Sequence, residues 1–243
     1  MSPEDFRAQL QYDLDWRKRE IAILTNQLDF ISENGKEIYC KALIVMLYSH
    51  FEGFCRLAFL TYLKLINDEK ITRSLATEYI IASSLLDLFH DIKHTKNFNS
   101  NCCDIFNLSS NEAKFSKHFI HTQFIRKFDE ILMQEINISE KLSANIVDAE
   151  SNLSPKVISR ILYRLGLPYD EFDRYTGNIC NLLKRRNSYA HGDRVEGIKE
   201  RDYRDLEQSI FSMISDLMML LTSAAENKCY LKNSVPTVMN SLN

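Results

Sequence analysis

One short segment in the last quarter of the chain concentrates residues that could handle phosphate and move protons. It reads "KRRNSYAHG" from Lys184 to Gly192. Arg186 carries a planar guanidinium that matches phosphate oxygens, and His191 carries an imidazole, a side chain that proteins commonly use to transfer protons. Asn187 lies one helical turn before His191 and could orient its ring or hold a phosphate. The segment therefore suits a site that stabilises charge on a phosphodiester and transfers protons.

The position of Arg186 within its predicted helix is unusual for a cation. It shares a helix face with Ile179 and Leu182, where the pattern calls for another apolar residue. Because burying an unpaired cation is prohibitive, this face must meet a carboxylate, a solvent-filled cleft or a second subunit. Glu52, in the most apolar predicted helix, is the candidate carboxylate. A local pair with Arg56, four residues later, is the competing interpretation of Glu52.

Three neighbours of Arg186 are candidate substrate-binding residues. Lys184 and Arg185 complete a run of three cations and could attract backbone phosphate. A solvated helix face and favourable charges near a helix C-terminus explain the same two residues without any ligand. Tyr189 lies on the flank of the apolar face, where packing in the core or in a dimer competes with contact to substrate.

Composition limits the classes of function. The chain has 243 residues, 45% of them hydrophobic, and a formal net charge of −3, so any phosphate-binding surface must be local. There are six cysteines, no CxxC pair and no secretory signal sequence, which predicts reduced thiols and a cytoplasmic protein. The uncharged run from Ala42 to Phe51 is about half the length of a membrane span, so we expect no membrane partner.

The elements that must position these residues are helices. Apolar residues recur with helical spacing nearly throughout, and only 6 Gly and 4 Pro are available for turns, which predicts an all-α fold. We expect helices at 3–32, 36–67, 72–90, around 112–135, at 155–166, 170–191 and 201–226. The last helix carries one apolar stripe, formed by Leu206, Ile210, Met213, Ile214 and Leu217.

These helices predict a single domain over residues 1–228. A loop-rich insertion is expected at about 93–151, where "KHTKNFNSNCCDIFNLSS" is rich in Asn and Ser, with a polar connector at 139–151. Residues 229–243 are expected to form a flexible tail.

A second constellation has metal-ligand character. His90 and His94 have the i, i+4 spacing of helical zinc ligands, and Cys102 and Cys103 follow. No Glu follows His90 as a metallohydrolase helix needs, and adjacent cysteines rarely chelate one ion. A structural metal here therefore remains a minor alternative, and no metal is expected at the Arg186 motif.

The extended motif R-N-x-x-A-H, from Arg186 to His191 and followed by Gly192, resembles the signature of the HEPN superfamily (higher eukaryotes and prokaryotes nucleotide-binding domain). That signature joins an Arg to a His a few residues later. The surroundings are similar too: an acid within a long early helix ("LYSHFEGFCRLAFLTYL"), "RILYRLG" before the motif helix, and an amphipathic helix after it. The resemblance is strongest to the HEPN-like nucleases and extends from Lys36 to Glu226.

The resemblance implies a HEPN-like bundle with an additional N-terminal helix, acting as a metal-independent endoribonuclease that needs no cofactor. Arg186, Asn187 and His191 would be its catalytic residues, and Glu52 would support them from the early helix. RNA supplies its own 2′-OH as nucleophile, so cleavage would leave a 2′,3′-cyclic phosphate. Two chains would bring their motif helices to one cleft, and we expect a homodimer interface that includes Leu182, Arg186 and Tyr189.

The sequence is compatible with two further interpretations of function. A HEPN fold could bind a nucleotide or a partner protein without cleaving RNA. An active enzyme could also be a toxin or defence RNase that a cognate antitoxin or neighbouring-gene protein restrains. In some HEPN toxins a partner modifies a Tyr two residues after the His; Asp193 occupies that position here, which argues against this form of control.

Overall fold

The computed structural model describes residues 1–94, 106, 117–148, 152–192 and 197–234. Within these ranges the regular structure consists of ten α-helices and three short 3-10 helices, with only isolated β-bridges, so the all-α prediction is confirmed. The α-helices are α1 (Pro3–Asn26), α2 (Glu33–Asp68), α3 (Glu78–Ser84), α4 (Leu86–His94), α5 (Lys117–Arg126), α6 (Phe128–Met133), α7 (Glu140–Ile146), α8 (Pro155–Arg164), α9 (Thr176–Ala190) and α10 (Glu200–Glu226).

The first helix begins where its capping signals predict. The Ser2 side chain accepts the Asp5 N–H at 3.0 Å, and the Asp5 carboxylate accepts the Ser2 N–H at 3.1 Å. The helix ends earlier than expected, at Asn26, and a 3-10 turn over Gln27–Phe30 follows. Helix α2 begins at Glu33, three residues before the expected start at 36, and Gly35 lies in its first turn.

The centre of the bundle is α2, which packs against α1, α9 and α10. By length and composition alone, α2 and α10 could each cross a membrane, but core helices of soluble proteins pass the same test. Their most apolar windows are 56% and 44% buried within the chain. The two helices also pack against each other. The predicted stripe on α10 is buried along its whole length, at Leu206, Ile210, Met213, Ile214 and Leu217.

Two expected segments differ from the observed structure. The expected helix at 72–90 is divided into a 3-10 turn, α3 and α4, with a break at Leu85. The expected polar connector at 139–151 contains α7, which Ser139 caps by accepting the Leu142 N–H at 3.2 Å. Leu142 and Ile146 are buried against the core, so this segment was misjudged because two apolar residues suffice to anchor a short helix.

The expected flexible tail is wrong for residues 229–234. Tyr230 is fully buried beside Tyr62, with ring centroids 6.5 Å apart. The backbone after α10 also bonds to the segment before α3: Tyr230 C=O accepts the Thr77 N–H at 2.9 Å, and Lys232 N–H donates to Leu75 C=O at 3.0 Å. These contacts close the bundle. Residues 235–243 lie outside the described part of the chain.

Candidate functional site

Helix α9 carries the motif and runs along α2. Ile179 and Leu182 are buried and fix one face of α9 in the core. His191 follows the last helical residue, and its N–H donates to the Asn187 C=O at 3.0 Å. Gly192 then adopts a φ of +74°, the left-handed conformation that glycine accepts most readily at a helix end. The motif therefore occupies the final turn of α9.

Arg186 is half-buried and stacks on an aromatic ring of α2. Its guanidinium carbon lies 4.6 Å from the centroid of the Tyr48 ring. Its Nη1 donates to Asn187 Oδ1 at 2.9 Å and to Asn152 Oδ1 at 3.3 Å. Within the described residues no carboxylate forms an ion pair with it, and Nε and Nη2 have no hydrogen-bond partner. The groups that contact this cation, one aromatic ring and two amide oxygens, are therefore neutral.

Tyr48 connects Arg186 to Glu52. The Tyr48 ring is buried, and its hydroxyl accepts the Leu153 N–H at 2.9 Å. Burial raises the pKa of the Tyr48 phenol, and the negative charge of Glu52, one turn further along α2, raises it more, while Arg186 opposes the shift. Among the ion pairs of the described residues, none joins Glu52 to Arg56 or to Arg186. Glu52 therefore influences Tyr48, and neither of the two alternatives for its partner, Arg186 or Arg56, forms an ion pair with it among the described residues.

His191 and Lys184 are exposed on one surface of α9. They are seven positions apart, which places them on nearly the same helix face. Arg186 and His191 are only five positions apart, which separates them by about 140° around the helix axis. The imidazole makes no hydrogen bond or ion pair within the described ranges. Helix geometry therefore places Arg186 and His191 of one chain on different faces of α9, and no hydrogen bond joins them within the described residues.

Asn187 interacts with Arg186 and not with the imidazole. Because the Asn187 Oδ1 accepts from the guanidinium, the carbonyl oxygen of the amide holds the cation. Our expectation that it orients His191 has no support in this geometry. Its Nδ2 remains a potential donor to a phosphate oxygen.

Two of the remaining candidates, Arg185 and Tyr189, contact each other beside the motif. Arg185 turns along α9, with Nε donating to Asn181 Oδ1 at 2.9 Å and Nη1 to the Tyr189 hydroxyl at 3.2 Å. Tyr189 is half-buried against the core, and Lys41 Nζ lies 5.5 Å from its ring centroid. Of the three predicted substrate-binding residues, Lys184 is thus the most accessible, while Arg185 and Tyr189 hold each other.

Sequence reasoning missed three residues of this site. Lys41 and Tyr48 share the α2 face that carries Glu52, and their spacing of seven and four residues would have revealed a polar line on an apolar helix. Asn152 lies between the expected connector at 139–151 and the start of α8. No periodicity marks such a residue, because its position depends on how the chain enters α8.

The alternative metal site cannot be assembled from the described residues. Among them, no group of three or more His, Cys, Asp or Glu side chains is placed to hold a metal ion. His90 lies on α4, which ends at His94, whereas Cys102 and Cys103 lie outside the described ranges. Asp193, the residue two positions after His191 in the motif, also lies outside them. The other cysteines are free thiols, buried at Cys40 and Cys55, half-buried at Cys229 and exposed at Cys180.

An all-α bundle with an Arg and a His in the last turn of a core-anchored helix has the architecture of the HEPN superfamily. The family model described as RiboL-PSP-HEPN matches residues 12–218, and the chain belongs to this family. The match includes the motif helix, α2 and most of α10. No curated protein and no solved structure matches the chain. Family membership supports a HEPN module of nuclease or nucleotide-binding type.

Proposed function

We propose that this protein is a metal-independent endoribonuclease that cleaves RNA by attack of the neighbouring 2′-OH and leaves a 2′,3′-cyclic phosphate. The observation that carries the proposal is the environment of Arg186. Neutral groups hold its guanidinium at the end of α9, and two of its nitrogen atoms have no partner within the described residues. Its charge is therefore available to an anionic phosphate.

Each polar residue of the motif has a distinct role in this proposal. Arg186 binds the phosphate oxygens through Nε and Nη2 and stabilises the charge that develops on them. His191, exposed and without a partner among the described residues, removes the 2′-OH proton or protonates the leaving 5′-oxygen. Lys184 attracts backbone phosphate, and Asn187 adds a hydrogen bond from its free Nδ2.

The working unit in this proposal is a homodimer. Because Arg186 and His191 of one chain are five residues apart and lie on different faces of α9, the proposal places the His191 of a second chain opposite Arg186. Leu182 cannot belong to the interface as we expected, because it is fully buried against the core. The exposed face of α9, which includes Cys180, Lys184 and His191, is the surface that a second motif helix would meet.

A toxin or defence role, with a cognate antitoxin or neighbouring-gene protein as partner, is the biological setting that we propose for this activity. It rests on the HEPN class alone. The second candidate function is a non-catalytic module that binds a nucleotide or a partner protein. The separation of Arg186 from His191 within one chain favours this alternative if the protein is monomeric.

RNA cleavage in the presence of a chelator separates these functions. Purified protein is incubated with structured and unstructured RNA in EDTA, beside Arg186→Ala and His191→Ala, and the product ends are analysed. We expect wild-type cleavage with 2′,3′-cyclic phosphate ends and loss of cleavage in both variants. Cleavage that needs added magnesium or zinc would contradict the proposal, and binding of mononucleotides without cleavage would establish the alternative.

A further inference from the structure

We propose that Tyr48 is the positioning residue for Arg186, and that it keeps the Glu52 carboxylate from neutralising this cation. The inference rests on the proposed function, since it concerns how the phosphate-binding cation of the same site is held. It gives Glu52 an indirect role and makes a buried tyrosine of α2 essential to the motif.

The Tyr48 ring is itself firmly held. Its side chain is only 1% exposed, and its ring packs against Phe51 with centroids 6.3 Å apart. Its hydroxyl is fixed from the other side by the Leu153 N–H, just before α8. An aromatic ring restrained in this way offers Arg186 a flat surface of fixed orientation.

Within the described residues, the contacts of Arg186 leave one edge of its guanidinium open. Both amide oxygens that it meets, on Asn152 and Asn187, accept from the same nitrogen, Nη1. Tyr48 covers one face of the plane. The edge formed by Nε and Nη2 is therefore the part that can make paired hydrogen bonds to phosphate oxygens.

A carboxylate bound to Arg186 would occupy the donors that a phosphate needs. If Glu52 paired directly with Arg186, an incoming phosphate would have to displace it, because both anions bind the same donors. Glu52 lies four residues after Tyr48 on α2, so both side chains are on one helix face. Because the Tyr48 hydroxyl accepts from Leu153, its own proton can be donated to that carboxylate. Loss of that hydroxyl would free the Glu52 carboxylate to turn toward the arginine.

The kinetic test uses three variants and one control. Tyr48→Leu removes the ring, Tyr48→Phe removes only the hydroxyl, and Tyr48→Phe/Glu52→Gln also removes the competing charge. The control, Tyr203→Phe, deletes another buried hydroxyl, which lies 3.2 Å from Thr25 Oγ1 on α1.

We expect Tyr48→Leu to lower the kcat for RNA cleavage about tenfold or more, the scale of a desolvated cation–π contact, with little change in KM. Tyr48→Phe should also lower kcat, and adding Glu52→Gln should restore most of the loss. Tyr203→Phe should cleave like wild type. If the double variant is no more active than Tyr48→Phe, or if Tyr48→Leu keeps wild-type kcat, the proposal is wrong.

A spectroscopic measurement tests the same arrangement without catalysis. The side-chain Nε–Hε signal of Arg186 is assigned by its loss in Arg186→Lys and followed during titration with inorganic phosphate. Wild type, Tyr48→Phe/Glu52→Gln and Tyr203→Phe should show a ring-current shift and a phosphate response, and Tyr48→Leu should lack the ring-current shift. An unchanged Arg186 signal in Tyr48→Leu overturns the inference. If wild type fails to cleave RNA, the proposed function fails while this measurement still decides the role of Tyr48.

Discussion

The guanidinium carbon of Arg186 lies 4.6 Å from the ring centroid of Tyr48, so a neutral aromatic ring meets the cation that interrupts the apolar face of α9. This contact explains how a cation is tolerated at a position that points into the bundle. The ring provides electrostatic attraction without removing the positive charge, and two asparagine oxygens satisfy one end of the guanidinium. A cation kept in this state can bind an anionic ligand.

The planar fork of Arg186 should matter more than its charge. Arg186→Lys keeps the charge but cannot make paired hydrogen bonds to phosphate oxygens. We expect the cleavage rate to fall by about a hundredfold, while the affinity for a non-cleavable 2′-O-methyl RNA changes only a few fold. Single-turnover kinetics and equilibrium binding provide the two readouts. Equal losses in both would mean that Arg186 contributes to binding only.

Lys184 and Arg185 should differ in their contribution to RNA binding. Lys184 is exposed, whereas the Arg185 guanidinium bonds to Asn181 and Tyr189. Lys184→Ala should therefore reduce the slope of log affinity against log salt by nearly one unit, and Arg185→Ala by less. Binding to 2′-O-methyl RNA over a range of salt concentrations measures both slopes. A larger effect of Arg185→Ala would show that its contacts within the chain are given up to RNA.

Acidification should destabilise the fold through His50. This imidazole is buried, and burial lowers its pKa. Its Nε2 lies 3.3 Å from Glu20 Oε2, but within the described residues neither ring nitrogen forms a hydrogen bond. Glu20 and Asp13 oppose the shift, and Arg17 adds to it. The unfolded imidazole, with a pKa of about 6.5, takes up its proton first, so stability is present above that pH and is lost as the pH falls.

The measurement for His50 is urea unfolding from about pH 7 to about pH 5.5, where carboxylates contribute little. Wild type should lose up to about 1.4 kcal/mol per pH unit while only the unfolded chain is protonated, and His50→Gln should show a flatter profile. Parallel profiles for the two proteins would exclude His50 as the source.

Gly197, three residues before α10, should be intolerant of substitution. A Cβ atom at Gly197 would lie 2.6 Å from Glu37 Cβ and 2.8 Å from the Glu37 carbonyl oxygen. Gly197→Ala should therefore lower the free energy of unfolding by about 1–3 kcal/mol. Gly177→Ala is the matched control, since nothing lies within 4 Å of a Cβ there and alanine favours the helix. If both variants have equal stability, α2 does not approach Gly197 this closely.

The sequence predicted the all-α fold and the family because both depend on local signals. Helical spacing marked the buried stripe of α10, and the motif lies within six consecutive residues. The contacts of the motif could not be predicted in the same way. Asn152 bonds to Arg186 although the two residues are 34 positions apart in the chain. Arg186 contacts Tyr48 and not Glu52 because of how the side chains are placed between the two packed helices α2 and α9.

The most direct test of the composite site is a mixing experiment with two inactive variants. Arg186→Ala and His191→Ala are each assayed alone and then after they are unfolded and refolded together, in EDTA. If Arg186 of one chain acts with His191 of the other, mixed dimers contain one complete pair, and activity should return to about a quarter of the wild-type value for random pairing. Each variant alone should be inactive. A mixture that stays inactive although mixed dimers form, beside an active wild type, would contradict the account.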